Sequence, residues 1–419
     1  MKSFLLASAA LTMGASAMGG SLSLTKVNEF PLKHVAVATL SDSPYSGTKT
    51  DKCSLLLTTF YPFGSDSVNY VTDPMSNPKI TAVDTEAKWP NQADPIDEKV
   101  ASQLGIDRGI LAASGFFVSP TKSTGAVTIY DTSSPNATKT QVSTDKKGYF
   151  YHHAEWFDVD GDGTLDIVAA RAYKPMLFGK VAGELVWIKK DGASWKEVVL
   201  AEGPDVAFTL RDIDGDGKTE VVAAQYFTAQ QLSVWYCNAE SWAKCAADQS
   251  LVKTVVIDDD GVPFFNVQFD MDLNGDGKVD LLATTNTANG KGSVIAYEVP
   301  ADFKSDKWPK FRLATGYKPT KAFLPGRGSP GTAHAFHIKT DAGGNSKPSI
   351  IVSADDGGYV DLLRPVSADS HDWTYARERV VNSTDTIGTI AVGDCNKDGF
   401  ADLFVPLFAE NKVAVYTFQ

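Results

Sequence analysis

Several things are scarce in this chain. It has four cysteines in 419 residues, too few for a disulfide scaffold and not at zinc spacing. It carries 39 Lys and Arg against 51 Asp and Glu, a formal charge of −12. That is the wrong sign for a nucleic-acid or anionic-membrane surface. After the first residues no apolar run approaches the length of a membrane span. Helical periodicity is nearly absent. There is no nucleophile elbow, no phosphate-cradling glycine loop and no zinc-binding histidine pair on a helix. The composition that remains, 43% hydrophobic, 11% aromatic and 21% charged, is globular. It excludes disorder, collagen and a coiled coil.

The apolar exception stands at the start. Residues 1–17 read MKSFLLASAALTMGASA: a charged Lys2, a short apolar run from Phe4 to Met13, and the small residues Ala15-Ser16-Ala17. This pattern predicts a signal peptide, and the run is too short to be a membrane helix. Residues 18–419 are then expected to form a single secreted, extracellular domain with no membrane anchor. Two sequons, Asn136-Ala137-Thr138 and Asn382-Ser383-Thr384, fit a glycoprotein.

Four segments share the pattern D-x-[DN]-x-D-G-x-x-[DE]. They are DVDGDGTLD from Asp158, DIDGDGKTE from Asp212, DLNGDGKVD from Asp272 and DCNKDGFAD from Asp394. Each is followed by an apolar run (IVAA, VVAA, LLAT, LFVP) and preceded by another, so each joins two short strands. The start-to-start spacings are 54, 60 and 122 residues. The long gap holds a degenerate copy at Asp341, which keeps the following strand but has lost the acids. Upstream, the segments CSLLLTTF from Cys53 and GILAASGFF from Gly109 match the strand after the loop. That makes seven units of roughly 57 residues, the range of propeller blades. Each reads as four strands: HAEWF, DIVAARA, ELVWIKK and KEVVLAE in the third unit, for example. The expected fold is an all-β, seven-bladed propeller. The second unit, at 87–108, reads partly as loop or helix, which leaves six blades as the alternative count. The last unit is one strand short, and the orphan strand Leu22 to Phe30 is expected to complete it and fasten the ring.

Carboxylates at positions 1, 3, 5 and 9, a backbone carbonyl at 7 and a glycine at 6 form the oxygen cage a calcium-sized cation takes. Turn preference alone accounts for one such loop; four copies in one register point to Ca²⁺. The loops and their setting resemble the FG-GAP/VCBS repeat family, which includes the propeller heads of integrin alpha chains and many secreted microbial proteins. The resemblance implies a calcium-stapled β-propeller with about four structural Ca²⁺ ions. By position, the ligands it implies are Asp158, Asp160, Asp162, Thr164 (carbonyl) and Asp166 in the first loop. In the second they are Asp212, Asp214, Asp216, Lys218 (carbonyl) and Glu220. The third gives Asp272, Asn274, Asp276, Lys278 (carbonyl) and Asp280, and the fourth Asp394, Asn396, Asp398, Phe400 (carbonyl) and Asp402. The four loops carry fourteen acidic side chains, more than the whole net excess. The family does not fix a function.

Cys237 and Cys245 flank NAESWAK within one unit and are expected to pair. Cys53 and Cys395 are far apart in sequence, yet each falls in the first-to-second-strand loop of units that meet at the closure. A Cys53–Cys395 disulfide is expected there; free buried thiols are the alternative for both pairs.

A propeller binds ligands at its axis, on the face opposite the acidic loops. Tyr226, Asn286 and Asp355 fall on that face, and four of the six histidines, His152, His153, His334 and His337, fall near innermost-strand positions. One reading is a carbon–oxygen lyase acting on uronate-containing glycans. His153, His152 or His334 would be the base, Tyr151 or Tyr226 the acid and Arg171 the carboxylate neutraliser. The other is a binding module for extracellular carbohydrate or glycoprotein, with Trp156, Tyr226, Phe264 and Phe265 as stacking surfaces. A protein-interaction or adhesion scaffold is the third. We expect a monomer. Packing between blades is the plain structural role for any one of these histidines.

Overall fold

A computed structural model describes residues 22–41, 53–116, 121–175, 179–324, 326–343 and 346–419. The expected signal peptide at 1–17 lies outside them. Seven four-stranded antiparallel sheets follow one another, making a seven-bladed propeller. Blade 1 comprises Val35–Ser41, Ser54–Thr59, Ser67–Thr72 and Lys79–Asp84. Blade 2 comprises Pro90–Pro95, Gly109–Ser114, Val127–Asp131 and Thr138–Gln141. Blade 3 comprises Tyr149–Phe157, Asp166–Tyr173, Ala182–Asp191 and Ser194–Glu202. Blade 4 comprises Phe208–Arg211, Glu220–Gln225, Gln231–Cys237 and Val252–Asp258. Blade 5 comprises Phe264–Met271, Asp280–Thr285, Gly292–Tyr297 and Lys310–Tyr317. Blade 6 comprises Ala333–Phe336, Ser349–Ser353, Tyr359–Pro365 and Tyr375–Asn382. Blade 7 comprises Ala391–Gly393, Asp402–Leu407 and Lys412–Phe418, with Leu24–Pro31 as its outermost strand.

Burial peaks at the second strand of each blade and is least on the outermost, with the innermost strand between them. Second strands such as Glu220–Gln225, Asp280–Thr285 and Asp402–Leu407 are buried at every residue, because neighbouring blades cover both faces. Their sequences are therefore continuous apolar runs, not alternating ones. Outermost strands such as Thr138–Gln141 are exposed throughout. The core lies between blades. Leu111, Ala113, Val127 and Ile129 of blade 2 meet Ile167, Ala169, Val186 and Ile188 of blade 3. Trp187 and Trp235, on successive third strands, share the cluster between blades 3 and 4. Their registers differ by one residue, since Trp187 pairs with Val168 and Trp235 with Val221, so they turn to opposite faces of their blades.

Three devices join blade 7 to blade 1. The outermost strand pairs from Leu24↔Phe418 to Pro31↔Lys412. Cys53 and Cys395 sit at disulfide distance, with Cα atoms 5.2 Å apart; Cys237 and Cys245 do the same at 5.8 Å. At the axis, Ala38 N–H donates to Thr389 O and Thr389 N–H to Ala36 O. This approach requires the neighbouring Gly388, where a Cβ would stand 1.9 Å from Ala36 O.

Blade 2 explains the irregular stretch at 87–108. Its first-to-second-strand connection is a short helix, α1 (Glu98–Leu104), in place of an acidic loop. Asp97 caps it through Val100 N–H at 2.8 Å, and Gly105 ends it at φ 75°. The Gln103 carboxamide then clamps both the N–H and the C=O of Leu165 in the first acidic loop. Antiparallel order puts first-to-second and third-to-fourth connections on one face of the ring, the loop face. The second-to-third and blade-to-blade connections lie on the other, the mouth face. No helix among the described residues is long and apolar enough to cross a membrane.

Candidate functional site

The loop face carries the four acidic loops, each between the first and second strands of its blade (blades 3, 4, 5 and 7). Each is folded around its first aspartate. Asp158 Oδ1 accepts from Gly161 and Asp162 N–H at 2.8 and 3.1 Å, and Oδ2 from Gly163 at 2.9 Å. Asp212, Asp272 and Asp394 repeat the bond to the glycine at position 6. That turn needs left-handed backbone at positions 4 and 6, where Gly161 and Gly163 have φ 76° and 84°. A Cβ at either would meet nothing within 4 Å, so conformation alone selects glycine. The fourth loop places Lys397 at position 4, at φ 60°. The carboxylate at position 9 is held by the N–H at position 2, as in Glu220–Ile213 at 2.9 Å, Asp280–Leu273 at 2.8 Å and Asp402–Cys395 at 2.9 Å.

In two loops, Asp158/Asp160/Asp162 and Asp212/Asp214/Asp216, three carboxylates offer oxygens within 4.8 Å of one another. The other two loops have Asn at position 3 and so one charge fewer. The donor set fits a hard cation. Asp160 Oδ1, Asp166 Oδ2 and Asp402 Oδ1 are buried without a hydrogen bond, and such oxygens are costly unless a ligand meets them. Burial first, then the neighbouring carboxylates, push Asp166 up to about 6 and both Glu220 and Asp280 up to about 7. The Lys189 ammonium lies against Asp160 and Asp162, and Lys304 reaches Asp214 at 2.8 Å. Both loops thus already draw positive charge.

Opposite, the residues proposed for elimination chemistry fall into separate settings. Tyr151 is fully buried and Arg171 is 3% exposed. Tyr151 Oη donates to Glu197 at 2.7 Å. The Arg171 guanidinium is taken by Glu184 and Glu197 and donates to Tyr151 Oη at 3.1 Å. This network lies within blade 3 and faces blade 2, where it leaves no cation for a substrate carboxylate. Trp156 packs in the same interface, and Phe264 is fully buried, so neither is a ligand platform. His153 Nε2 lies 2.8 Å from Glu155 Oε1, with its ring edge-on to Phe208 at 4.9 Å. His337 Nδ1 lies 3.5 Å from Ser346 Oγ.

His152 and His334 stand on innermost strands where burial disfavours the imidazolium, lowering them to about 3 and about 4. Below the ordinary 6.5 the unfolded chain takes up protons these two folded side chains refuse. Folding stability should therefore fall as pH drops from about 6.5 towards about 4. His153 works in the opposite sense, since burial, its largest single influence, is outweighed by its bond to Glu155 together with the charges of Glu155 and Asp94. In calcium-saturated melts, His334→Gln should have a shallower acid limb than the parent. Superimposable limbs would remove His334 as a contributor.

Tyr226 belongs to a different assembly, at the mouth. Its hydroxyl donates to Asn286 Oδ1 at 3.1 Å. Asn286 Nδ2 donates to Pro330 O at 2.8 Å and to Asp355 Oδ2 at 3.3 Å. Asp355 has φ 51°, a strained conformation for a non-glycine residue. Burial and the adjacent Asp356 raise its pKa well above the usual carboxylate range. Arg327 pairs with Asp356 and Asp385, and Lys321 Nζ reaches Asp385 at 2.6 Å.

Aromatic rings continue from this polar group around the axis. Their centroids step from Phe408 to Phe60 (6.2 Å), Trp89 (4.5 Å) and Phe116 (5.1 Å). They continue to Phe150 (5.6 Å), Phe227 (5.7 Å), Tyr226 (4.7 Å) and Phe265 (5.7 Å). His152 closes the series against Phe265 at 5.9 Å. Lys174 Nζ lies 4.9 Å from the Phe227 ring.

No protein-family model matches the chain. No curated protein matches it either. Among solved structures it is similar to one described as "Structure of Dos1 propeller". The two are 12% identical, with 94% of this chain and 95% of that chain covered and a TM-score of 0.47. The blade count rests on the seven sheets themselves.

Sequence reasoning placed Tyr226, Asn286 and Asp355 on the mouth face but missed Arg327, Asp356 and Asp385 as one ion-paired group. It also missed Phe60, Trp89, Phe116 and Phe408. The signal existed: after the second strands of blades 1, 2, 4 and 7 the chain places at least one aromatic each, Phe60, Phe116, Phe227 and Phe408 among them.

Proposed function

We propose that this chain is a secreted, calcium-stapled propeller of FG-GAP/VCBS type that binds extracellular carbohydrate at its mouth. The acidic loops, through the residues at positions 1, 3, 5, 7 and 9, would hold about four Ca²⁺. The ions would supply the charge that now leaves buried carboxylate oxygens unmatched. They tie first strand to second and sit on the face away from the mouth, so their role is structural.

The observation that carries the binding reading is the Tyr226–Asn286–Asp355 chain set among half-buried aromatic rings. Ring faces cover the apolar C–H side of a sugar, while carboxylate and carboxamide take its hydroxyls. Binding is favoured over elimination because Arg171 is committed to Glu184 and Glu197. The test is a panel of immobilised glycans with the calcium-loaded protein. Tyr226→Phe and Asp355→Asn, which keep the packing, should each weaken binding about three- to tenfold, the worth of one hydrogen bond to a neutral or charged partner. Undiminished binding in both would remove the mouth as the site. With uronate polymers we expect no new ultraviolet absorbance from a C=C bond.

A further inference from the structure

Large apolar side chains exposed on the outermost strands occur singly: Val27, Ile80, Val198 and Val256. The two most exposed are different. Phe63 is 93% and Phe323 is 83% exposed, and both project from the mouth face. Phe63 follows the second strand of blade 1, and Phe323 lies in the connection from blade 5 to blade 6. Blades 2, 3 and 4 separate them on one side and 6 and 7 on the other, so they stand on opposite lips.

Neither loop is loose. The Phe63 loop is built around Asp66, 2% exposed. Asp66 accepts from Tyr61 N–H at 3.0 Å, Trp89 N–H at 2.7 Å and Lys122 Nζ at 2.6 Å. Lys122 also donates to Tyr61 O and Gly64 O. The Phe323 loop is tied on both sides. Thr320 N–H donates to Asp356 O at 2.9 Å, and Thr287 and Ser329 exchange two backbone bonds at 3.1 Å. Lys321 and Arg327 are ion-paired to the same aspartates. Both rings are therefore held in water by loops anchored on either side of the ring, which lowers the ordering cost of binding.

We propose that Phe63 and Phe323 are outer stacking platforms on opposite lips of the mouth, and that the ligand is a neutral, extended polysaccharide long enough to cross it. This rests on the reading of the mouth as a glycan site. A single sugar at Tyr226 and Asn286 cannot touch both lips, whereas a chain can. Between the platforms lie Asn286, Asp355, Asp356 and Asp385. Two cations there, Arg327 and Lys321, are already paired with Asp356 and Asp385. Uronates or sulfated chains would find both of them engaged. Two small apolar outposts, Phe63 with Tyr61 and Phe323 with Leu324, separated by hydrogen-bonding groups, suit a sugar chain better than a protein partner, which takes a contiguous apolar patch.

The test uses the full calcium-loaded chain with cello- and chito-oligosaccharides, disaccharides against hexasaccharides, by calorimetry. Phe63→Ala and Phe323→Ala should each weaken hexasaccharide binding about three- to tenfold. The double variant should multiply the losses, since the sites are far apart, and disaccharide binding should not move. If hexasaccharide affinity is unchanged in the double variant while Tyr226→Phe still lowers it, the platforms are wrong and the mouth reading stands. If no glycan binds the parent, both readings fall. Sedimentation with phosphatidylcholine or phosphatidylserine vesicles that depends on Phe63 and Phe323 would overturn the proposal in favour of a membrane contact.

Discussion

Removing calcium with a chelator at pH 8 should lower the melting temperature by roughly 13 °C. Each site at a hundredfold excess over its dissociation constant contributes about 2.7 kcal/mol, and four contribute about 11 kcal/mol. With an unfolding entropy of about 2.1 cal/mol/K per residue, a chain of this length shifts by about one degree per 0.8 kcal/mol. The shift should also depend on pH. In the metal-free protein, burial and neighbouring carboxylates hold Asp166 near 6 and Glu220 and Asp280 near 7, against ordinary values of 3.8, 4.5 and 3.8. Between those limits the folded chain keeps protons that the unfolded chain has lost. Stability without calcium therefore falls as pH rises from about 4 to about 7. Calcium replaces those protons, so its effect should be smallest near pH 4 to 5 and complete above 7. Melts with and without chelator across this range measure both quantities. A melting temperature indifferent to chelator at pH 8 would remove calcium from the account.

Cys395→Ser should cost more than Cys245→Ser by a wide margin. The Cys53–Cys395 pair spans 342 residues and Cys237–Cys245 only 8. Loop-closure entropy in the unfolded chain then gives about 6 kcal/mol for the first and about 2.6 kcal/mol for the second. Urea unfolding of the two variants, each paired with its partner cysteine also replaced, reads the difference directly. Equal losses would mean that the outermost strand Leu24–Pro31 closes the ring without help from the cross-link.

The seven blades were legible because one chemical requirement recurs. The acidic loops demand glycine at fixed offsets and a buried strand straight after Asp166, Glu220, Asp280 and Asp402. Blade 2 was ambiguous for a physical reason: its first-to-second-strand connection solves the same problem with helix α1, whose signals are an Asp97 cap and Gly105. The mouth was legible by position only. Topology says which loops reach it, so Tyr226, Asn286 and Asp355 could be placed there. Topology does not say which way a side chain turns. Tyr151 and Arg171 sit on adjacent strands of one blade, and both turn into a carboxylate network whose members, Glu184 and Glu197, come from its third and fourth strands. Pairing across strands of this kind has no periodic trace in the sequence.

Closure with the outermost strand of blade 7 has a consequence for the order of manufacture. On the ribosome, Leu24–Pro31 emerges before the seven blades and must wait for Lys412–Phe418, its ladder partner among the described residues. Blades 1 to 6 each hold all four strands from contiguous sequence and can form as they appear, whereas the last blade cannot. Until then the growing arc carries a bare strand at its leading end, the kind of edge that recruits wrong neighbours. Any delay between synthesis of the two segments is thus a window for misassociation. Keeping that window short falls to whatever accompanies the nascent chain, not to the finished ring.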